Sequence, residues 1–98
     1  MALHKFIIER DIPKVGTFEH EQLRAAAAAS NQALHKLGSD IQWVESYVAE
    51  NKTFCVYVAV DGHIIRKHAE LSGIPATKIT RVLTMIDPTT EARDPQGG

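Results

Sequence analysis

The chain has 98 residues and a formal net charge of −1, so we expect a single domain with a core of modest size. This near-zero net charge and the lack of a Lys/Arg cluster exclude a general nucleic-acid-binding surface. The single cysteine excludes an intramolecular disulfide. The apolar run 6–8 is short and acidic residues follow it, so we predict no signal peptide, no membrane span and a cytoplasmic location.

Periodicity and turn residues predict six elements in the order β-α-β-β-α-β. They are a strand over 3–10, a helix capped by Thr17 that ends at Leu37 before Gly38, a hairpin over 41–59 that turns at 50–52, a helix capped by Asp61 that ends near Ser72, and a strand over 79–86. This order predicts an α+β, ferredoxin-like domain over 1–88, with both helices on one face of an antiparallel sheet of order 4-1-3-2. Residues 89–98 carry no apolar periodicity and are predicted to form a mobile C-terminal tail.

Alternation along the strands divides the sheet residues between two faces. The predicted helix-facing set is uniformly apolar and comprises Phe6, Ile8, Val44, Val48, Phe54, Val56, Val58, Val82 and Ile86. The opposite, open face then receives Ile7, Glu9, Trp43, Glu45, Tyr47, Cys55, Tyr57, Arg81, Leu83 and Met85. A sheet face this rich in aromatic and aliphatic side chains is typical of an interface or a ligand groove, so we predict a homodimer in which two such faces form a dimeric α+β barrel.

Two residues of the predicted open face have side chains that suit chemistry. Glu9 would be a carboxylate in a dehydrated environment, which favours a general acid/base or a metal ligand, unless it forms an ion pair with Arg81. Cys55 has no cationic neighbour in sequence, and its thiol is interpreted as a small apolar side chain, with a nucleophile or a soft metal ligand as alternatives.

Among the five histidines, no pair has the i, i+4 spacing that places two metal ligands on one helix face. His68 differs from the others because it lies near the inward stripe of the second predicted helix. It is interpreted either as a partly buried, hydrogen-bonded histidine or as a metal ligand.

Three stretches, 38–57, 65–79 and 85–90, together with the opening Phe-Ile-Ile-Glu-Arg of 6–10, resemble a family of small bacterial ferredoxin-like domains of unknown function. The characterised relative of that family is a nickel-binding dimer, so the resemblance implies nickel as the cofactor and a second copy of the chain as the partner. The positions that match the family pattern are His68, Trp43, Tyr47, Cys55 and Tyr57, whereas His4, His20, His35 and His63 do not match it.

Two functional hypotheses follow, beside a third possibility that the aromatic face is a dimer interface and nothing more. The first is a small homodimeric nickel-binding protein with His68 as the first metal ligand to test. The second is an enzyme of the dimeric α+β barrel type that acts on a small organic molecule at the open face. In that enzyme Glu9 is the acid/base, and Trp43, Tyr47, Cys55, Tyr57 and Arg81 complete the ligand-binding face.

Overall fold

The computed structural model describes residues 2–92, which form one four-stranded antiparallel sheet and two α-helices. The elements are β1 (His4–Asp11), α1 (His20–Leu37), β2 (Ile41–Val48), β3 (Lys52–Ala59), α2 (Gly62–Ser72) and β4 (Lys78–Arg81). Short 3₁₀ turns occupy Val15–Thr17, Gly38–Asp40 and Pro88–Ala92. The strand order β2-β3-β1-β4 confirms the predicted order and the ferredoxin-like α+β fold. No helix within residues 2–92 is long and apolar enough to cross a bilayer.

Local sequence signals set most helix boundaries. The Asp61 side chain accepts a hydrogen bond from the backbone N–H of Ile64 at 3.1 Å, which confirms the predicted cap of α2. The predicted cap of α1 at Thr17 is wrong, because Thr17 belongs to a 3₁₀ turn. Glu19 caps this helix instead, in a capping box with Gln22.

The strand registers show which residues face the helices. Ile8 lies opposite Cys55, and Phe6 lies opposite Tyr57, so these four side chains share one face. They are buried beneath both helices in a core to which α2 contributes Ile65. The predicted placement of Phe6 and Ile8 is therefore confirmed.

The predicted faces of β3 are wrong. Cys55 and Tyr57 lie on the helix side, and Phe54, Val56 and Val58 lie on the open side. Both alternating sets of this strand are apolar enough to form a core, so hydrophobicity alone cannot orient it.

A β-bulge changes the orientation of β2 halfway along the strand. Trp43 pairs with Tyr57, but Glu45 pairs with Val56, so Val44 is an additional residue between the two pairs. Trp43 therefore lies on the helix side, and its predicted place on the open face is wrong. Tyr47, beyond the bulge, lies opposite Phe54 on the open face as predicted.

The last strand is shorter than predicted. Phe6 pairs with Arg81, and Val82 N–H still donates to the carbonyl of Lys5 at 2.9 Å, but β1 itself begins at His4. The strand therefore ends two residues before its partner does. The residues beyond it are exposed rather than buried: Leu83, Met85 and Ile86 are 89%, 62% and 75% exposed. The predicted tail over 89–98 begins within the 3₁₀ turn at Pro88–Ala92, and its remainder, 93–98, lies outside the described residues.

The connection from β1 to α1 packs tightly on the hairpin turn between β2 and β3. Gly16 N–H donates to the carbonyl of Glu50 at 2.9 Å. A Cβ atom added at Gly16 would lie 2.9 Å from the carbonyl oxygen of Ala49 and from Cα of Glu50. Glycine is required here for close approach, and the contact holds buried Val15 over the helix side of the sheet.

Candidate functional site

A chain of buried polar side chains crosses the helix side of the domain. His68 of α2 is fully buried, and its Nε2 lies 3.1 Å from Ser30 Oγ of α1. Ser30 Oγ in turn lies 3.1 Å from the Tyr57 hydroxyl of β3. At the other side of the imidazole, His68 Nδ1 lies 3.5 Å from Nη2 of Arg10 in β1. Four elements thus each contribute one member to this group, which we call the helix-side network: Arg10, Ser30, Tyr57 and His68.

The contacts of Arg10 determine the tautomer of His68. A guanidinium can only donate hydrogen bonds, so Nδ1 of His68 accepts and Nε2 carries the proton. Burial, followed by the charge of Arg10, lowers the pKa of His68, which keeps the imidazole neutral at neutral pH. Burial raises the pKa of Tyr57, so its hydroxyl keeps its hydrogen.

Arg10 is a buried cation, 2% exposed. Its Nη1 donates to the carbonyl oxygens of Ile74 and Pro75 at 3.1 and 3.0 Å. Its guanidinium carbon lies 5.8 Å from the centre of the Tyr57 ring. Within residues 2–92, no carboxylate forms an ion pair with it, so its charge is compensated by dipoles and a π face alone.

A cavity of about 250 Å³ opens between α1 and the helix side of the sheet. Arg10, Ser30 and Tyr57 of the helix-side network line it, together with Trp43 and Cys55. The Trp43 ring stacks on Tyr57 with centroids 6.4 Å apart, and its Nε1 donates to Ser46 Oγ at 2.9 Å. We call this space the helix-side cavity, and most of its remaining wall is apolar.

The predicted ligand-binding set is divided by the sheet. Glu9 and Tyr47 lie on the open face, whereas Trp43, Cys55 and Tyr57 line the helix-side cavity. Arg81 lies opposite Phe6 and so is also on the helix side, outside that cavity. The prediction that they form one face is wrong, because the face of β3 and the bulge in β2 were not anticipated. Cys55 and His68, expected to lie on opposite sides of the sheet, lie on the same side.

The predicted partner of Glu9 is also wrong. Its carboxylate accepts a hydrogen bond from Lys52 Nζ at 3.2 Å, since Lys52 is on the neighbouring strand. Arg81 instead donates to His4 Nδ1 at 3.0 Å, at the start of β1. Glu9 lines neither the helix-side cavity nor the second cavity, which lies beside His4 and Arg81.

Residues 2–92 of a single chain do not by themselves fit a nickel ion. Among residues 2–92, no three His, Cys, Asp or Glu side chains lie close enough to hold a metal together. His68, the predicted ligand, has both ring nitrogens within reach of protein partners. Coordination through Nδ1 would place a cation against Arg10, and coordination through Nε2 would displace Ser30.

Sequence reasoning missed Arg10 and Ser30 as site residues. Both carried a signal: Arg10 continues the alternation of Phe6 and Ile8, and Ser30 occupies the apolar line of α1 at helical spacing from Ala27 and Leu34. A polar side chain in such a line needs a buried partner, which each of them finds in His68.

These features define a small ferredoxin-like domain with a buried polar network beneath its helices. The chain belongs to the family described as nickel responsive protein SCO4226-like, whose model matches residues 6–82, as the sequence resemblance indicated. The fold is similar to the crystal structure of SCO4226 from Streptomyces coelicolor A3(2), with a TM-score of 0.69 and 16% identity over 84% of this chain and 99% of that one. None of the curated proteins matches the chain.

Proposed function

We propose that this protein is a homodimer that binds nickel through ligands supplied by both subunits, with the open sheet face as the interface. Its family is described as nickel responsive, which gives it a nickel-related role. The observation that carries the proposal is the exposed apolar character of the open face.

On that face, Ile7 and Phe54 are each 36% exposed, and Tyr47 is 56% exposed. Beyond the end of β4, Leu83 and Met85 are more exposed still. Apolar side chains that remain accessible in this number favour a protein interface, and a second copy would offer a complementary apolar face.

We expect two subunits to share the metal because the described part of one subunit has too few donor side chains close together. One subunit brings no three suitable side chains together within residues 2–92, whereas a symmetric dimer presents every donor twice. Nickel accepts nitrogen and oxygen donors, and the carboxylates of Glu9 and Glu45 lie on the open face, where a second copy would add its own pair. His68 has no exposed surface, so in this proposal it supports the fold and does not bind the metal.

Light scattering and nickel titration calorimetry on the same samples test the proposal. We expect a dimer that binds nickel, and we expect Phe54→Glu to abolish both the dimer and nickel binding by placing a charge in the interface. Leu71→Glu is the matched control, because Leu71 is an exposed apolar residue of α2 outside the open face.

A monomeric wild-type protein, or unchanged nickel binding by monomeric Phe54→Glu, would contradict the proposal. His68→Gln separates it from the sequence-based prediction of a His68 ligand. The proposal expects this variant, if folded, to retain nickel, and loss of nickel by the folded variant would favour the earlier prediction.

A further inference from the structure

We propose that the helix-side cavity binds a small organic carboxylate, with its apolar part against α1 and its carboxylate at the hydroxyls of Ser30 and Tyr57 near Arg10. This site is independent of nickel and of the open face, because it lies on the opposite side of the sheet within a single subunit.

One hydroxyl hydrogen of the helix-side network has no acceptor within the network. His68 Nε2, Ser30 Oγ and Tyr57 Oη carry one hydrogen each, but only two contacts connect these three atoms. Among residues 2–92, the one further partner of these two hydroxyls is the Arg10 guanidinium, which donates to Tyr57 Oη and so uses neither hydroxyl hydrogen. One of the two hydroxyls therefore has a hydrogen available, and both residues line the cavity. A ligand must supply an acceptor to use it.

Electrostatics favour an anionic acceptor. Arg10 lines the cavity as a buried cation without a carboxylate partner in the described part of the chain. Two carbonyls, His68 Nδ1 and Tyr57 Oη use four of its five N–H groups. The low dielectric of a buried site strengthens the attraction of this charge for an anion.

The remaining wall determines the rest of the ligand. Val15, Phe18, Leu23 and Ala27 contribute apolar surface, and the Trp43 ring closes one side. A volume of about 250 Å³ is just below the range of roughly 300–1,000 Å³ typical of drug-sized ligand sites. This size and lining fit a short aliphatic or aromatic carboxylate.

Trp43 provides the readout, because it is the only tryptophan and it lines the cavity. The probe is hexanoate, added to the full chain while Trp43 fluorescence is recorded, with hexylammonium and 1-hexanol as controls of equal chain length. We expect a saturable change with hexanoate, weaker binding of 1-hexanol and no saturable change with hexylammonium.

A cavity-filling pair of variants locates the site. Ala27 lines the cavity, and its neighbour Ala28 is exposed on the same helix. We expect Ala27→Leu to weaken hexanoate binding by about tenfold or more, equivalent to roughly 1.4 kcal/mol, and Ala28→Leu to leave it unchanged. The double variant Ser30→Ala/Tyr57→Phe, which removes both hydroxyls, should weaken hexanoate by about tenfold if it folds.

Three results would overturn the inference. They are the absence of saturable binding by hexanoate, equal hexanoate affinity in Ala27→Leu and Ala28→Leu, and hexylammonium binding as tightly as hexanoate. Because α1 accepts leucine at either position with little change in helix propensity, failure of the Ala27 variant to fold is not expected.

Discussion

The two faces of the sheet use polar and apolar side chains in opposite ways. On the helix side, Arg10, His68 and Tyr57 are buried, and each has a hydrogen-bonding partner. On the open face, Phe54 and Tyr47 are exposed beside the ion pair of Glu9 and Lys52. Polar side chains are therefore buried and hydrogen-bonded on the helix side, whereas apolar side chains remain exposed to solvent on the open face. Stability should depend on the helix-side polar residues much more than on the open-face charges.

The largest expected effect is the loss of Arg10. Arg10→Met leaves the carbonyls of Ile74 and Pro75 and the His68 Nδ1 without their donor, so we expect a loss of about 3 kcal/mol or more in the free energy of unfolding. Lys52→Met removes a partly exposed ion pair and should change the free energy of unfolding by about 1 kcal/mol or less. Urea unfolding of both variants compares the faces directly, and equal losses would refute the contrast.

A smaller effect is expected at the segment that holds Val15 over the cavity. Gly16→Ala places a methyl group 2.9 Å from backbone atoms of the hairpin turn and should destabilise the fold by about 1–3 kcal/mol. Gly62→Ala is the control, because nothing lies within 4 Å of the added atom at the start of α2. Thermal unfolding should show a lower midpoint for Gly16→Ala alone, and a matching decrease in both would contradict the packing described.

The smallest expected effect is the dependence of stability on pH. The pKa of His68 is lowered in the folded state from its ordinary value of 6.5, so the unfolded chain binds the proton more readily. The contribution of neutral His68 is present above that value and is lost as the pH falls below it. Urea midpoints across this range should decline more steeply for the wild type than for folded His68→Gln, and parallel slopes would assign the decline to other groups.

The sequence determined the topology well because its signals are local. Gly38 and Gly73 adopt positive φ where the helices end, and Asp61 caps α2. Once the order of elements was known, handedness rules left few arrangements, and the observed sheet order followed.

The site could not be predicted in the same way because it depends on which face of β3 is buried. Cys55 and Tyr57 alternate with Phe54 and Val56, and both sets are apolar. Which set is buried is decided by pairing across the sheet, where Ile8 lies opposite Cys55. The bulge at Val44 changes the orientation of β2, and no glycine or proline in the sequence marks it. Arg10 and Ser30 became recognisable as partners only when α2 placed His68 between them.

The central claim is that neutral His68 carries its proton on Nε2, which leaves a hydroxyl hydrogen of the helix-side network facing the cavity. Long-range ¹H–¹⁵N spectra of the imidazole, recorded over the range of about pH 5 to 8 in which histidine ordinarily titrates, test it directly. We expect the Nε2–H tautomer at the upper end and an apparent pKa below 6.5. An Nδ1–H tautomer, or a His68 that is already protonated at neutral pH, would contradict the account.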